Sequence, residues 1–284
     1  MTARIIDGRA LAEAIRGDVR RRVAALKAAH RAVRLDALLV GADAAGEIYA
    51  RNQAASCAEV GIEYKLHRLP DGAGYEEVAG RVLLMNADEA IAAIMVHLPL
   101  PPGVDTERIH ALIDPEKDVE GVNPANIGRV VYGRRSLVPC TALAVMEMIE
   151  STGVELRGAR CVCVGASNIV GKPVAILLMR AEATTVSTNK YTRDLAAETR
   201  QADVLISAAG VPNLIRGDMV KPGAVVVDVG ICRVTGPDGR SRTVGDVCFE
   251  EVVQVASHVS PVPGGVGPVT VAAMLRNTVE AAER

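Results

Sequence analysis

Residues 159–179 read ARCVCVGASNIVGKPVAILLM, and this stretch decides the fold. An apolar run ends at Gly165, a short polar turn follows, and apolar residues then recur at helical spacing from about Gly171. Gly165 permits a tight turn at the strand end, and Gly171 lets helix and strand approach closely. Ser167 and the free amides at the helix start can bind phosphate oxygens. The pattern is not GxGxxG, however, so by itself it is as typical of an ordinary strand-to-helix turn.

The same alternation of apolar runs and helical patterns extends outward along the chain. Strand-like runs occur at 35–41, 91–101, 183–188, 203–210 and 224–230. Helical patterns occur at 8–30, 44–62 and 75–86, from about 141, and from 269 to the end. Between them we expect a polar link before residue 75 and a loop-rich segment at 114–129. The alternation predicts an α/β protein with right-handed crossovers and a largely parallel sheet. The part of this alternation that begins at residue 159 predicts a nucleotide-binding lobe, after which the last helix returns to the first lobe.

Composition and charge indicate which kinds of molecule this protein binds. The 284 residues carry a formal charge of -2, which gives no electrostatic footprint for nucleic acid or an anionic membrane surface, so small ligands are expected. Six cysteines without a CxxC pair or a histidine cluster suggest neither a metal site nor a disulfide framework. The N-terminus lacks an apolar signal region, and no apolar run reaches membrane-spanning length. We therefore expect a soluble, cytoplasmic protein.

Three polar residues follow the predicted strand at 183–188, where a dinucleotide ribose is usually held in this topology. Thr188, Asn189 and Lys190 include no carboxylate for a ribose 2′-hydroxyl, and Lys190 would attract a 2′-phosphate. The pattern favours NADP over NAD, with NAD still possible, although a lone surface lysine is more often simply solvated.

Two further features are ambiguous when read alone. KDVEG, at 117–121, can be a catalytic carboxylate loop or simple loop solvation before a glycine turn. His97, in VHLPLP at 96–101, lies at the mouth of the sheet where ligands bind in open α/β folds. An isolated histidine more often has a hydrogen-bonded structural role.

Together the motifs resemble the bifunctional methylenetetrahydrofolate dehydrogenase/cyclohydrolase (FolD) family over nearly the full length of the chain. The resemblance is carried by IIDG, GADAAGEIY, VHLPLP, PEKDVEG, NIGR, PCTA, VGASNIVGKP, ADVLISAAG, VVVDVGI, VGDV and SPVPGGVGPVTVAAML. It implies a folate-binding catalytic lobe at 1–139 and 269–284 and a Rossmann-like NAD(P)-binding lobe at 140–268. It also implies NADP as cofactor, a folate carrying the one-carbon unit as substrate, and usually a homodimer.

The family's catalytic positions are altered in this sequence. The tyrosine that stacks on the folate is present as Tyr49, but the lysine four residues later, which handles proton and charge during hydrolysis, is Gln53. The glutamine that hydrogen-bonds this lysine is His97, and the aspartate that grips the pterin is Glu120. An amide cannot transfer a proton, whereas His97 could act as a base near neutral pH.

The remaining residues implied by the resemblance form two sets. The cofactor set is Gly165, Ala166, Ser167, Ile169, Val170, Gly171, Thr188, Asn189, Lys190 and Ile231. The substrate set is Tyr49, Leu98, Pro99, Glu120, Pro261, Gly264 and Gly265.

Three hypotheses follow. The first is an NADP-dependent methylenetetrahydrofolate dehydrogenase with weak or absent cyclohydrolase activity. The second is a repurposed enzyme that acts on a folate-bound one-carbon unit, or on another cyclic iminium or aminal substrate, with His97 as acid/base. The third is a non-catalytic folate or NADP binding protein.

Overall fold

A computed structural model describes residues 2–41, 44–235 and 239–284. The helices are α1 (Gly8–Ala28), α2 (Ala44–Val60), α3 (Tyr75–Ala87), α4 (Thr106–Leu112), α5 (Pro124–Val131), α6 (Cys140–Glu150), α7 (Gly171–Arg180), α8 (Leu195–Thr199), α9 (Phe249–Val252) and α10 (Val266–Ala282). The strands are β1 (Arg4–Ile5), β2 (Arg34–Val40), β3 (Glu63–Leu69), β4 (Ala93–Val96), β5 (Arg160–Val164), β6 (Thr184–Thr188), β7 (Val204–Ser207), β8 (Val225–Asp228), β9 (Cys232–Thr235), β10 (Ser241–Val244) and β11 (His258–Val259). Ala42 and Asp43, within the GADAAGEIY motif, lie outside the described residues.

The chain divides into two compact units. The first comprises residues 1–12 and 141–270, and the second comprises 13–140 and 271–284. After the ligands that the sequence resemblance implies, they are called the nucleotide unit and the folate unit. Relative to the division expected from sequence, the two later boundaries fall within two residues, but residues 1–12 group with the nucleotide unit. The reason is that β1 pairs in parallel with β11, so Arg4 lies opposite His258.

The nucleotide unit contains a six-stranded sheet in the order β1-β11-β8-β7-β5-β6. All five strand pairings in this sheet are parallel. Strands β5, β7 and β8 are almost wholly buried, which explains why they read as continuous apolar runs. Val162, Leu205 and Val226 belong to one core cluster beneath this sheet. The prediction of a largely parallel α/β fold is confirmed.

The strand, turn and helix predicted at 159–179 are present as β5 and α7. Gly165 has a φ of +103°, a conformation that L side chains rarely adopt. A Cβ at Gly165 would collide with the backbone of Ala208, and one at Gly171 would collide with the Gly165 carbonyl. Gly171 is therefore required by the close approach of strand and helix, and Gly165 by the close approach of its turn to the segment after β7.

Two buried aspartates hold the loops at the carboxyl edge of this sheet. Asp246 accepts hydrogen bonds from the Ser207 hydroxyl (3.0 Å) and from the backbone amides of residues 209–211 (2.6–3.2 Å). Asp228 accepts from the amides of Gly230 (2.9 Å), Asp246 (3.0 Å) and Val247 (2.9 Å). Burial raises the pKa of Asp228 to about 6. The two carboxylates fix loop amides that would otherwise be unpaired in the interior.

The folate unit contains a three-stranded parallel sheet in the order β3-β2-β4. The expected polar link before residue 75 is wrong, because this segment forms β3, and the expected loop at 114–129 contains the start of α5. Strand β3 was missed because it lies at a sheet edge with charged residues on its exposed face. Helix α5 begins at a proline capped by Asn123.

No helix among the described residues is both long and apolar enough to cross a membrane.

Replacing Asp246 with alanine should lower the free energy of unfolding by about 2–4 kcal/mol, because one buried and three partly buried donors lose their acceptor. Urea denaturation monitored by circular dichroism measures the change. Asp218→Ala, at an exposed carboxylate of the same unit, is the control and should change stability by less than about 0.5 kcal/mol. Equal effects of the two substitutions would contradict the assigned role.

Candidate active site

Helix α2 presents a row of residues spaced by four at the folate unit's candidate site. Tyr49 is 64% exposed, Gln53 is half-buried, and Cys57 is fully buried. The spacing places the three side chains on one helical face, running from solvent to core. The Gln53 Oε1 atom is buried and has no hydrogen-bond partner among the described residues. The amide therefore sits where a polar group costs free energy unless a ligand or water satisfies it.

His97 lies directly after β4, and its backbone amide donates to Leu38 (2.8 Å). Its ring is 6% exposed, and its Nε2 atom lies 3.3 Å from the Tyr64 hydroxyl oxygen. Burial lowers the pKa of His97, and the negative charge of Glu47 opposes this shift in part. Glu47 is itself held by two hydrogen bonds from Arg68, at 3.1 and 2.9 Å. The imidazole is thus predominantly neutral at neutral pH.

Tyr64, on β3, is a site residue that the sequence interpretation missed. Burial is the main cause that raises the pKa of its hydroxyl, and Cys57 adds to the shift. The hydroxyl therefore stays protonated throughout the physiological range. The available signal was the alternation Ile62, Tyr64, Leu66, which gives β3 an inward face.

Glu120 is positioned by the KDVEG segment, which runs beside β4. Ile94 forms a parallel bridge with Asp118, and its amide donates to the Lys117 carbonyl (2.7 Å). Asp118 is fully buried and accepts from the Asn123 amide (2.7 Å) and the Asn126 side chain (3.0 Å). These contacts show that KDVEG is an ordered element of the unit, and that its first carboxylate is structural.

The Glu120 carboxylate has the environment of a proton-exchanging group. Burial is the largest cause that raises its pKa, to about 7, and the charge of Asp118 adds to this shift. A hydrogen bond from the Val96 amide opposes it. Val96 immediately precedes His97, so the Glu120 carboxylate and His97 both lie at the carboxyl end of β4. Leu98 and Pro99 follow there and are exposed.

In the nucleotide unit, five predicted site residues line one cavity of about 540 Å³. They come from both predicted sets and are Val170, Ile231, Pro261, Gly264 and Gly265. The cavity lies against the loop after β8 and the segment that leads into α10. The structure therefore brings together predicted site residues that lie up to 95 positions apart in sequence, from 170 to 265.

The turn before α7 fits a dinucleotide phosphate. Ser167 is exposed, and its Oγ atom accepts from the amides of Val170 (3.2 Å) and Gly171 (3.4 Å). Gly171 leaves no room for a Cβ where strand and helix meet, and Gly165 leaves none where the turn meets the segment after β7. Ala166 and Ile169 complete the turn, and Ile169 is 45% exposed.

The three residues predicted to lie near the cofactor ribose differ in whether their side chains are accessible to a ligand. Thr188 is buried, and its hydroxyl donates to the Cys163 carbonyl (3.3 Å), which is a structural contact. Asn189 caps a turn by accepting from the Tyr191 amide (2.9 Å). Lys190 is exposed, with its Nζ atom 5.0 Å from the centre of the Tyr191 ring. Of the three side chains, Lys190 is the cation free to meet a phosphate in solvent.

The strand order, the glycine turn and the cavity at the carboxyl edge define a nucleotide-binding α/β protein, in which a second α/β unit carries its own polar site. Residues 6–120 match the tetrahydrofolate dehydrogenase/cyclohydrolase catalytic domain, and residues 139–284 match the NAD(P)-binding domain of the same family. The chain belongs to the tetrahydrofolate dehydrogenase/cyclohydrolase family.

Individual relatives are similar over their whole length. Bifunctional protein FolD of Moorella thermoacetica is 47% identical over 284 residues, covering all of both chains. The crystal structure of the Campylobacter jejuni FolD enzyme superposes with a TM-score of 0.94 at 40% identity, covering 98% of each chain. Trypanosoma brucei FolD, complexed with NADP and an inhibitor, gives a TM-score of 0.94 at 39% identity, covering 100% of this chain and 98% of its own.

His97→Gln should flatten the pH dependence of stability below pH 7. The unfolded chain keeps a histidine pKa of about 6.5, whereas burial lowers the pKa of His97 in the folded state. The unfolded state therefore binds more protons between these values, and the wild type loses stability as pH falls through them. Urea denaturation at pH 7.5 and 5.5 measures the loss.

The control for this prediction is His30→Asn, at an exposed histidine with a positive φ that asparagine tolerates. It should leave the loss of stability unchanged. If His97→Gln loses as much stability as the wild type on acidification, the ring is not held neutral by burial.

Proposed function

We propose that this chain is an NADP-dependent methylenetetrahydrofolate dehydrogenase whose cyclohydrolase activity is weak or absent. The observation that carries the proposal is Gln53, a half-buried amide at the position where the family resemblance implies a lysine. Family membership supports the dehydrogenase part, and the glycine turn with its exposed Ser167 supports the cofactor.

The two half-reactions make different demands on these residues. Oxidation of 5,10-methylenetetrahydrofolate transfers a hydride from the bridging methylene, and NADP, when bound, supplies the acceptor. This step depends mainly on positioning. The exposed ring of Tyr49 offers a platform for a flat heterocycle, and the half-buried Glu120 carboxylate offers an acceptor for its amino edge. Neither role needs a proton from Gln53.

Hydrolysis of the methenyl cation needs an activated water and a proton transfer. Such general acid/base catalysis typically contributes about 10² to 10⁴ in rate. The Gln53 amide can neither accept nor release a proton near neutral pH. The dehydrogenase reaction can therefore persist while the hydrolytic reaction loses most of its rate enhancement over the spontaneous reaction.

Use of NADP is supported by Lys190, whose exposed ammonium group follows β6, and by the NADP complex of the Trypanosoma brucei relative. The absence of a carboxylate at 188–190 fits the same preference. A homodimer, as the resemblance implies, completes the proposal, and sedimentation equilibrium measures it.

The first test supplies methylenetetrahydrofolate with NADP and follows methenyl and formyl products separately. We expect NADPH and the methenyl product to form together, with formyl product appearing at the spontaneous rate. Gln53→Lys should accelerate formyl formation by about 10²-fold or more, because it restores a proton-transferring group. Asn52→Lys adds the same charge at the exposed neighbouring position and should not.

Two outcomes bear on the hydrolytic half of this proposal. Stoichiometric wild-type formyl formation well above the spontaneous rate would contradict it. If Gln53→Lys alone does not accelerate formyl formation, it is combined with His97→Gln and Glu120→Asp, which gives all three positions the residue that the resemblance implies. Activity regained only in the triple variant would mean that the three substitutions act together.

A second candidate function is favoured by the surroundings of His97. A buried neutral imidazole, in a unit that also holds a carboxyl with a pKa of about 7, could support acid/base chemistry on a folate-bound one-carbon unit or another cyclic iminium or aminal substrate. His97→Ala should then reduce kcat by about 10² or more on such a substrate. His30→Asn is the control, and unchanged turnover in His97→Ala would exclude this role.

The third candidate, a non-catalytic folate or NADP binding protein, predicts tight binding of both ligands without any change in nicotinamide absorbance. It ranks last because the glycine turn, the exposed Ser167 and the cavity-lining segment at 261–268 are all retained.

A further inference from the structure

The ring of His97 makes one hydrogen bond to a side chain within the part of the chain that the structure describes. Its partner is Tyr64, with 3.3 Å between Nε2 and the hydroxyl oxygen. A neutral imidazole carries one N–H and one lone pair, and a tyrosine hydroxyl can donate or accept. The direction of this one bond therefore decides which ring nitrogen holds the proton.

The surroundings favour donation by Tyr64. Either direction leaves one proton without an acceptor among the described residues, on the Tyr64 hydroxyl or on His97 Nδ1. The two groups differ in strength, however, because a phenol is a good donor and an imidazole nitrogen is a far more basic acceptor than a phenol oxygen. The O–H···N bond is therefore the stronger of the two arrangements. Burial raises the pKa of Tyr64 and lowers that of His97, so the pair consists of a phenol and a neutral imidazole.

The charged and titratable groups around this pair do not reverse the assignment. From α2, Glu47 acts on His97, but Arg68 of β3 already binds its carboxylate with both hydrogen bonds. Cys57, also on α2, is a buried thiol whose pKa burial raises to about 12, so it stays neutral. On the side of β4, the Glu120 carboxylate takes its hydrogen bond from the Val96 amide.

We propose that Tyr64 is a positioning residue for His97, in which the phenol donates to Nε2 and fixes the neutral imidazole as the tautomer with its proton on Nδ1. In this state His97 offers a ligand a hydrogen-bond donor and no free lone pair. It can orient a folate as an amide N–H would, but it is not poised as a base. The proposal deepens the dehydrogenase function proposed above and rests on it for the identity of the ligand.

The tautomer is measured on the full-length protein without ligand. Long-range ¹H–¹⁵N correlation spectra at pH 7.5 separate protonated from unprotonated ring nitrogens, and the His97→Gln variant assigns His97 among the five histidines. We expect His97 with a protonated Nδ1 and a bare Nε2. A wild-type spectrum with the proton on Nε2 would overturn the proposal, whatever the variants do.

Tyr64→Phe removes only the hydroxyl and should shift His97 toward the tautomer protonated on Nε2. Tyr75→Phe is the matched control, because Tyr75 is another half-buried tyrosine of the folate unit, whose ring contacts Arg108 at 4.2 Å. It should leave the His97 signals in place. Unchanged His97 signals in Tyr64→Phe would show that the hydroxyl does not set the tautomer.

A double-mutant cycle connects the tautomer to turnover. With methylenetetrahydrofolate and NADP, Tyr64→Phe should lower kcat/KM by about 2- to 12-fold, mainly through KM, as expected for one hydrogen bond that orients a ligand-binding group. In the His97→Gln background the same substitution should change kcat/KM by less than about 2-fold. Equal losses in both backgrounds would mean that Tyr64 acts independently of His97, which would overturn its role as a positioning residue. Absence of turnover in the wild type would count against the dehydrogenase, while the spectra would still decide the tautomer.

Discussion

Parallel strand pairing is the constraint on which the rest of this structure depends. In both the six-stranded and the three-stranded sheet the carboxyl ends of the strands meet at one edge, so loops far apart in sequence arrive at the same place. In the nucleotide unit this edge needs reinforcement, because its loops leave many amides pointing inward. The buried carboxylates of Asp228 and Asp246 accept those amides and fix the loops around the cavity.

The polar side chains described in the folate unit are mostly uncharged. Gln53 cannot ionise, burial keeps His97 neutral, and Tyr64 remains a phenol. Glu120, with a pKa of about 7, is the group in this set that exchanges a proton near neutral pH. A site of this kind is suited to holding a polar heterocycle in a fixed orientation.

Much of the fold was predictable because the central strands of the nucleotide unit are buried on both faces. Such strands need apolar residues at consecutive positions, and these appear in the sequence as continuous apolar runs. The glycine turn at 165–171 was predictable for a related reason, since only glycine fits where strand and helix touch. Edge strand β3 escaped prediction because its exposed face carries charged residues and breaks the apolar run. Because β3 was not predicted, Tyr64 was not recognised as the hydrogen-bond partner of His97.

Sequence by itself determined the fold class, the family and the residue types at positions 53, 97 and 120, because motifs and residue identities are local properties of the chain. Tertiary structure alone decided the environments of those residues. It buried His97 beside a tyrosine 33 positions away in sequence, and it placed the Glu120 carboxylate on the Val96 amide. The physical reason is that protonation states and tautomers depend on burial and on hydrogen-bond partners, which strand pairing brings together across the chain.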